Sequence, residues 1–297
     1  MTQPGTQLRY ALVTPARNEQ DFIGQTIRAV VAQTVRPVKW IIVSDGSTDR
    51  TDEIVATFAQ QHDWIELARM PVHRDRTFAA KATCFNEGYG RLKALSFEIV
   101  GNLDADITME PDYFEFLMGK FREMPDLGVA GTPYVEDTHG TGDHSASHRE
   151  GDIEHVSGAC QMFRRECFED IGGGYMPIKG GVDWVAVTTA RMKGWRTRTF
   201  VEMSCRHHRR MGTADRGPLM ARFRHGQEDY TLGGHPLWQV VRSTFQMTKS
   251  PMILGGLFLG LGYFWAMAKR MPRRIPPDLI AFHRSEQMAR MRKKLHF

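Results

Sequence analysis

From residue 10 onward the chain alternates short apolar runs with stretches in which apolar residues recur every three or four positions. Residues 10–14 read as a strand, about 21–33 as an amphipathic helix and 40–44 as a second strand, which is the rhythm of a βαβ unit. Further strands are predicted at 64–68, 97–103, 128–131, 155–163 and 197–203, with helices near 51–61, 78–94, 112–123 and 183–193. This order predicts an α/β fold with a mostly parallel central sheet flanked by helices.

In such sheets ligands collect beyond the carboxyl ends of the strands, so the residues that follow each apolar run carry the chemistry. Here those residues are Pro15-Ala16-Arg17-Asn18-Glu19, Ser44-Asp45-Gly46-Ser47-Thr48-Asp49 and Asp104-Ala105-Asp106. Two acids one residue apart in a turn can share one hard divalent cation. The same triplet also reads as an acidic turn ahead of a helix starting at Pro111. Residues 136–154 are rich in Gly, Ser, His and acids and read as a long surface loop beside the substrate. No regular element sets the spacing of His139, His144 and His148 as a metal site needs.

Of the 297 residues, 41% are hydrophobic and 25% charged, which excludes wholesale disorder and allows a sizeable core. The four cysteines, Cys84, Cys160, Cys167 and Cys205, form no C-x-x-C pair, so reduced thiols are expected rather than a zinc ribbon or a disulfide scaffold. Residues 1–9 are polar and contain no apolar signal core, which points to a cytoplasmic catalytic part.

Charge divides the chain. Residues 206–297 carry 17 Lys and Arg against 5 Asp and Glu, so the remainder is net negative although the whole is +5. A catalytic domain is expected over 1–232 and a helical extension over 233–297. Within the extension, residues 251–268 carry no charge and are flanked by Lys249 on one side and Lys269, Arg270, Arg273 and Arg274 on the other. An 18-residue helix is ~27 Å long against a hydrocarbon core of ~30 Å, which is borderline for spanning. Three readings compete: a single span, a buried core helix, and a helix lying on the bilayer with Tyr263 and Trp265 at the interface. The cationic flanks favour an anionic membrane surface, and Gly256-x3-Gly260 fits a helix–helix contact. Residues 278–295 read as a basic helix. No nucleic-acid partner is expected, because the basic residues border an apolar stretch and no nucleic-acid module is recognisable.

One ordered series of motifs runs through residues 9–210. It comprises strand-PARNE, strand-SDGSTD, Lys81-x4-Asn86-x-Gly88, strand-DAD, Ser157-Gly158-Ala159, Gly172-Gly173, and Asp183 ahead of Gly194-Trp195. This series resembles the family 2 glycosyltransferases, inverting enzymes with the A-type nucleotide-diphospho-sugar transferase fold. The resemblance implies that Pro15, Arg17 and Glu19 line the nucleoside pocket. It implies that Asp45 accepts a hydrogen bond from the base, usually uracil, with Ser47 and Asp49 holding the loop. Lys81 would sit near the phosphates, Asp104 near the ribose or a metal, and Asp106 on the metal, Mg²⁺ or Mn²⁺.

In that family the base that deprotonates the acceptor falls at Asp183. The usual Glu-Asp pair is Val182-Asp183 here, and a helix N-cap is the competing role for Asp183. By the same resemblance His207 or His208 would complete the metal or diphosphate site, and Arg209 or Arg210 would meet the diphosphate. The Q-x-x-R-W residues of processive synthases are absent at this point, which favours transfer of a single sugar.

The implied activity is metal-dependent, inverting transfer from a nucleotide-diphosphate sugar, expected to be a UDP-sugar, to a hydroxyl of a glycan or lipid-linked acceptor. The expected setting is polysaccharide or cell-envelope glycan assembly at the cytosolic face of the cell membrane. A nucleotidyltransferase is disfavoured because PARNE is not a Gly-rich basic signature. A catalytically inactive nucleotide-binding scaffold at the membrane rests only on the missing acid before Asp183.

Overall fold

The apolar runs become strands because both faces of the sheet they form are covered. In β1 (Tyr10–Ala16), Tyr10 and Leu12 point into one core layer while Ala11 and Val13 point into the other. The period of two across a doubly buried sheet is thus read directly in the packing. The computed structural model describes residues 8–71, 78–136, 153–209 and 217–295.

The first of two compact units, residues 1–210, continues with α1 (Ile23–Val31), β2 (Lys39–Ser44), α2 (Thr51–Gln61), β3 (Ile65–Arg69) and α3 (Phe78–Leu92). Next come β4 (Ile99–Leu103), β5 (Ile107–Thr108), α4 (Tyr113–Glu123), β6 (Leu127–Gly131) and β7 (Tyr134–Glu136). The unit ends with β8 (Cys160–Arg164), α5 (Arg165–Asp170), α6 (Val182–Met192), β9 (Arg196–Thr199) and β10 (Cys205–His207).

Seven strands form the main sheet in the order β3-β2-β1-β4-β8-β6-β9. Only β8 runs antiparallel to its neighbours, so the expected mostly parallel α/β sheet is present. Helix α3 lies close on β1 and β2 because Gly88 has no side chain: a Cβ there would meet Val13 Cγ1 at 2.5 Å and Val43 Cγ2 at 2.9 Å. Polar anchors complete the layers. Tyr10 donates its hydroxyl to Val35 O at 2.7 Å, and Trp40 Nε1 donates to Thr14 Oγ1 at 2.9 Å.

Two predicted strands differ from the observed ones. Residues 155–163 become a strand only from Cys160, because the turn before it crosses the end of β4, where Ala159 O accepts from Asp104 N at 2.9 Å. Residues 197–203 end in β9, and the chain then leaves the main sheet to form β10. That strand joins a small sheet in the order β5-β10-β7. The four cysteines are free and buried.

The second unit, residues 211–297, contains α7 (Pro218–Thr231), α8 (Pro236–Gln246), α9 (Leu254–Ala268) and α10 (Pro277–Leu295). The boundary expected after residue 232 therefore lies at 210/211. Helix α7 belongs to the second unit because its Gly226 and the Gly262 of α9 let the two backbones touch. A Cβ on Gly226 would overlap Leu259 O, and one on Gly262 would overlap Phe223 O. Of the three readings of residues 251–268, the single span is the one the described helices do not support. Helix α9 starts at Leu254, not 251, and no helix among the described residues is long and apolar enough to cross a membrane.

Candidate active site

Two loops at the carboxyl edge of the sheet are laced together by hydrogen bonds. Asp45 N donates to Ala16 O at 2.8 Å, Asn18 N to Ser47 Oγ at 3.2 Å, and Thr48 N to Asn18 Oδ1 at 2.8 Å. Asp49 bridges the same loops, accepting from Gln20 N at 3.1 Å and from the Thr51 hydroxyl at 2.6 Å. Burial acts to raise the pKa of Asp49, and the hydrogen bonds from Thr51 and Gln20 outweigh it, so its carboxyl is held below the usual range. Ser47 and Asp49 thus hold the loop, leaving Asp45 to face inward. Its Oδ2 lies 3.5 Å from Arg17 Nη1. Burial, and then Asp45, push the nearby Cys84 thiol up to about 12, so it stays protonated. Pro15 lies in β1 opposite Val43, at the floor of these loops.

The acidic turn follows β4. Asn102 Nδ2 donates to Gly158 O at 2.6 Å and approaches Asp104 Oδ1 at 3.3 Å. Lys81 Nζ lies 2.5 Å from Asp104 Oδ1. Burial raises the Asp104 pKa, and neighbouring Asp106 raises it further, against the pull of Lys81. Asp106 has the opposite fate. Burial again acts upward, but His207 and then Arg209 hold its carboxyl below the usual range.

His207 arrives through the pairing of β10 with β5, which sets it opposite Ile107. Its Nε2 lies 3.4 Å from Asp106 Oδ1. Burial would lower the imidazole pKa, and Asp106 and Asp104 outweigh burial and raise it. Arg209 closes the group, with Nη2 at 2.5 Å from Glu19 Oε2 and Nε at 3.8 Å from Asp106 Oδ2.

These residues fit a divalent cation. Asp104, Asp106 and His207 each offer a ligand atom, all within 4.8 Å of one another. His207 Nδ1 is buried without a hydrogen-bond partner, as is Asn102 Oδ1. Two hard oxygen donors plus an imidazole suit Mn²⁺ or Mg²⁺, and the nitrogen leans the set toward Mn²⁺. His208 turns elsewhere, its Nε2 2.8 Å from Thr108 Oγ1, so of the two candidate histidines His207 joins the cluster.

Asp183 is the second residue of α6, after Gly181 in left-handed conformation at φ 73°. The N-cap role is not the one it plays. Its Oδ2 instead accepts from Gly158 N at 3.2 Å, across the turn that also receives Asn102. One turn of chain, 157–159, therefore links Asp183 to the acidic pair.

Sequence and structure comparisons place the family and the fold. The profile of the family described as Glycosyl transferase family 2 matches residues 11–172, more than half of the chain. The chain belongs to glycosyl transferase family 2. Among its relatives, the poly-beta-1,6-N-acetyl-D-glucosamine synthase of Staphylococcus epidermidis is 29% identical over 171 residues, 52% of this chain and 39% of that protein. The synthase of Staphylococcus aureus strain MSSA476 is 31% identical over 119 residues, 40% and 27% respectively. The match thus spans well under half the length of these relatives.

Among solved structures, S. aureus TarS 1–349 in complex with UDP superposes with a TM-score of 0.58 at 13% identity, covering 96% of this chain and 92% of that one. Mannosyltransferase PcManGT from Pyrobaculum calidifontis, in complex with GDP-Man and Mn²⁺, gives 0.56 at 18% identity, covering 99% and 82%. The fold of this glycosyltransferase is accordingly the A-type one expected.

Within this family 2 domain the structure brings Arg17, Glu19, Asp45, Lys81, Asp104, Asp106, His207 and Arg209 to one sheet edge. Arg210 lies outside the described residues, as do His139, His144 and His148. Three residues at the edge carried no sequence signal: Asn102, Tyr134 and Phe22. Asn102 ties β4 to the 157–159 turn. The Tyr134 ring stands 5.3 Å from that of His207, and burial, then Glu136 and Asp183, push its hydroxyl up to about 12. Phe22 lies 5.5 Å beneath the Arg209 guanidinium, a cation–π contact that orients it.

Proposed function

We propose that this glycosyltransferase transfers a single sugar, with inversion, from a UDP-sugar to a hydroxyl of a glycan or lipid-linked acceptor. The observation that carries the reading is the meeting of the Asp104–Asp106–His207 cluster with the laced 15–20 and 44–51 loops at one sheet edge. A uracil imide N–H is a donor, and the Asp45 carboxylate, steadied by Arg17, is an acceptor for it. Arg209 and Lys81 supply positive charge for the diphosphate, a group that a guanidinium can meet with two parallel hydrogen bonds. Asp104, Asp106 and His207 would hold Mn²⁺ or Mg²⁺, which when bound supplies Lewis-acid stabilisation of the charge on the departing nucleoside diphosphate.

Asp183 acts on the acceptor. Its carboxylate takes the hydroxyl proton as the acceptor oxygen bonds to the anomeric carbon, and the bond from that carbon to the diphosphate oxygen breaks with its electron pair. The Gly158 N–H keeps one Asp183 oxygen engaged and leaves the other for the proton.

Polysaccharide or envelope-glycan assembly at the cytosolic face of a membrane is the setting we propose. The names of the matched synthases support the polysaccharide part, and the excess of Lys and Arg from residue 206 onward supports the membrane part. The test is a UDP-release assay over a panel of UDP-sugars and acceptors with Mn²⁺, Mg²⁺ or EDTA, with NMR of the product linkage. Cation-dependent release with one inverted linkage per acceptor is expected. A polymeric product would replace single transfer by processive synthesis. Cation-dependent UDP binding without turnover on any pair would favour the scaffold reading.

A further inference from the structure

Helix α9 sets most of its large apolar residues outward, unlike a helix that covers a core in water. Its inward face is rich in small residues, Gly255, Gly256, Gly260, Gly262 and Ala266, with Leu259 and Tyr263 the two large side chains buried among them. A Cβ on Gly256 would overlap Ser243 O of α8. Its outward face carries the large residues, Leu254, Leu257, Leu261, Phe264 and Trp265, all exposed. The spacing 254, 257, 261, 264 runs along one side of the helix. Mostly small residues toward protein and most of the large apolar residues outward is an arrangement that suits hydrocarbon surroundings, and an exposed apolar stripe of this length marks an interaction surface.

The stripe begins at a tip. Where α8 turns into α9, Phe245 is 61%, Met252 71% and Ile253 65% exposed. Ile253 has φ 61°, a region that a β-branched residue enters only at an energetic cost. Its N–H is tied back to Met247 O at 2.9 Å, so the turn holds its apolar side chains out to solvent. Helix α8 adds Leu237 and Val241 at four-residue spacing before Phe245.

Charge selects the occupant. Residues 230–277 contain six Lys and Arg and no Asp or Glu. Lys249 sits 5.0 Å over the Phe245 ring at the tip, and Lys269 sits 5.9 Å over the Trp265 ring at the far end of α9. A second copy of this chain would set like charges against each other, whereas anionic lipid headgroups are complementary. With 15 residues, α9 is ~22 Å long, short of a hydrocarbon core of ~30 Å and longer than the roughly half of it that one leaflet spans, so it lies along the interface of one leaflet and not across it.

We propose that α8 and α9 form a wedge that inserts Phe245, Met252, Ile253 and the outward face of α9 into one leaflet of an anionic bilayer, with Lys249 and Lys269 at the headgroups. The inference deepens the membrane placement proposed above and is independent of the sugar chemistry.

Flotation of the full chain with vesicles tests it, comparing phosphatidylcholine alone with a mixture containing phosphatidylglycerol. Flotation with the anionic vesicles is expected, with partitioning reduced at least tenfold by Phe245→Glu combined with Leu257→Glu. Both side chains are exposed, so melting temperature and UDP binding should stay unchanged. Brominated lipid should quench tryptophan fluorescence, and Trp265→Phe should remove most of that quenching. No flotation on any vesicle would overturn the wedge and the membrane placement together, while leaving nucleotide binding to judge the transferase reading. Flotation unaffected by the double variant would overturn the wedge alone. A dimer in solution that the double variant dissociates would also overturn it, assigning the face to a second copy.

Discussion

Lys81 and Asp104 form a 2.5 Å ion pair, so an ammonium rests on one of the two carboxylates of the cation cluster. Burial would lower the Lys81 pKa, but Asp104 and then Asp183 and Asp106 raise it, so it stays charged there. Lys81 would therefore compete with a divalent cation while also serving the diphosphate in the proposed reaction. Lys81→Met should tighten Mn²⁺ binding in the absence of nucleotide several-fold and weaken UDP binding by about tenfold. Calorimetric titration of each ligand separately checks the opposite signs, and a parallel loss of both would show that Lys81 only supports the fold.

Cation binding should strengthen with pH through the His207 titration. A metal-bound imidazole must shed its proton, and His207 holds that proton above its ordinary pKa of 6.5. Without the cation the sign reverses. The stabilisation from protonated His207 is complete below 6.5 and fades as pH rises through the raised folded value. Asp106, held below its ordinary 3.8, contributes stability that is present above that value and is lost as pH falls through the lowered one. Melting curves against pH, in EDTA and in Mn²⁺, should diverge as the solution becomes alkaline. Parallel curves would remove His207 from the ligand set.

Asp183→Asn preserves an oxygen for the Gly158 N–H and removes the proposed base. A fall in kcat of roughly 10²- to 10⁴-fold is expected, with the melting temperature and donor KM little changed. Steady-state kinetics with a soluble acceptor measures this, and near-normal kcat would rule out the assignment.

Gly262→Ala places a methyl where the Phe223 carbonyl lies, so α7 and α9 must move apart. Destabilisation of about 1–3 kcal/mol is expected. Urea unfolding followed by helix signal should show a transition at lower denaturant, whereas UDP binding by the first unit stays intact. An unchanged midpoint would mean that the helices do not meet at this glycine.

Strands β1, β2 and β4 were legible because each is a continuous apolar run ending in polar residues, so the positions of Asp45, Asp104 and Asp106 at the sheet edge followed. The choice between His207 and His208 was not legible. Adjacent residues of a strand face opposite sides, and only the register of β10 on β5 decides which histidine meets Asp106. The place of α7 was hidden for a similar reason. Its polar composition resembles a surface helix, and its close approach to α9 depends on Gly226 and on Gly262, 36 positions later. Tyr134 and Asn102 had no motif to mark them, since their value comes from neighbours brought in by β8 and β10.

Strand β10 also sets a schedule for biogenesis. It pairs with β5 across a sequence gap of 100 residues, the separation between Ile107 and His207. On the ribosome the acidic pair is therefore made long before its histidine, and a nascent chain lacking residues 205–207 has no complete cluster. Loop closure over that distance is slow compared with forming the β1-α1-β2 unit. Competence for donor turnover should arrive as one of the last events in the maturation of the first unit.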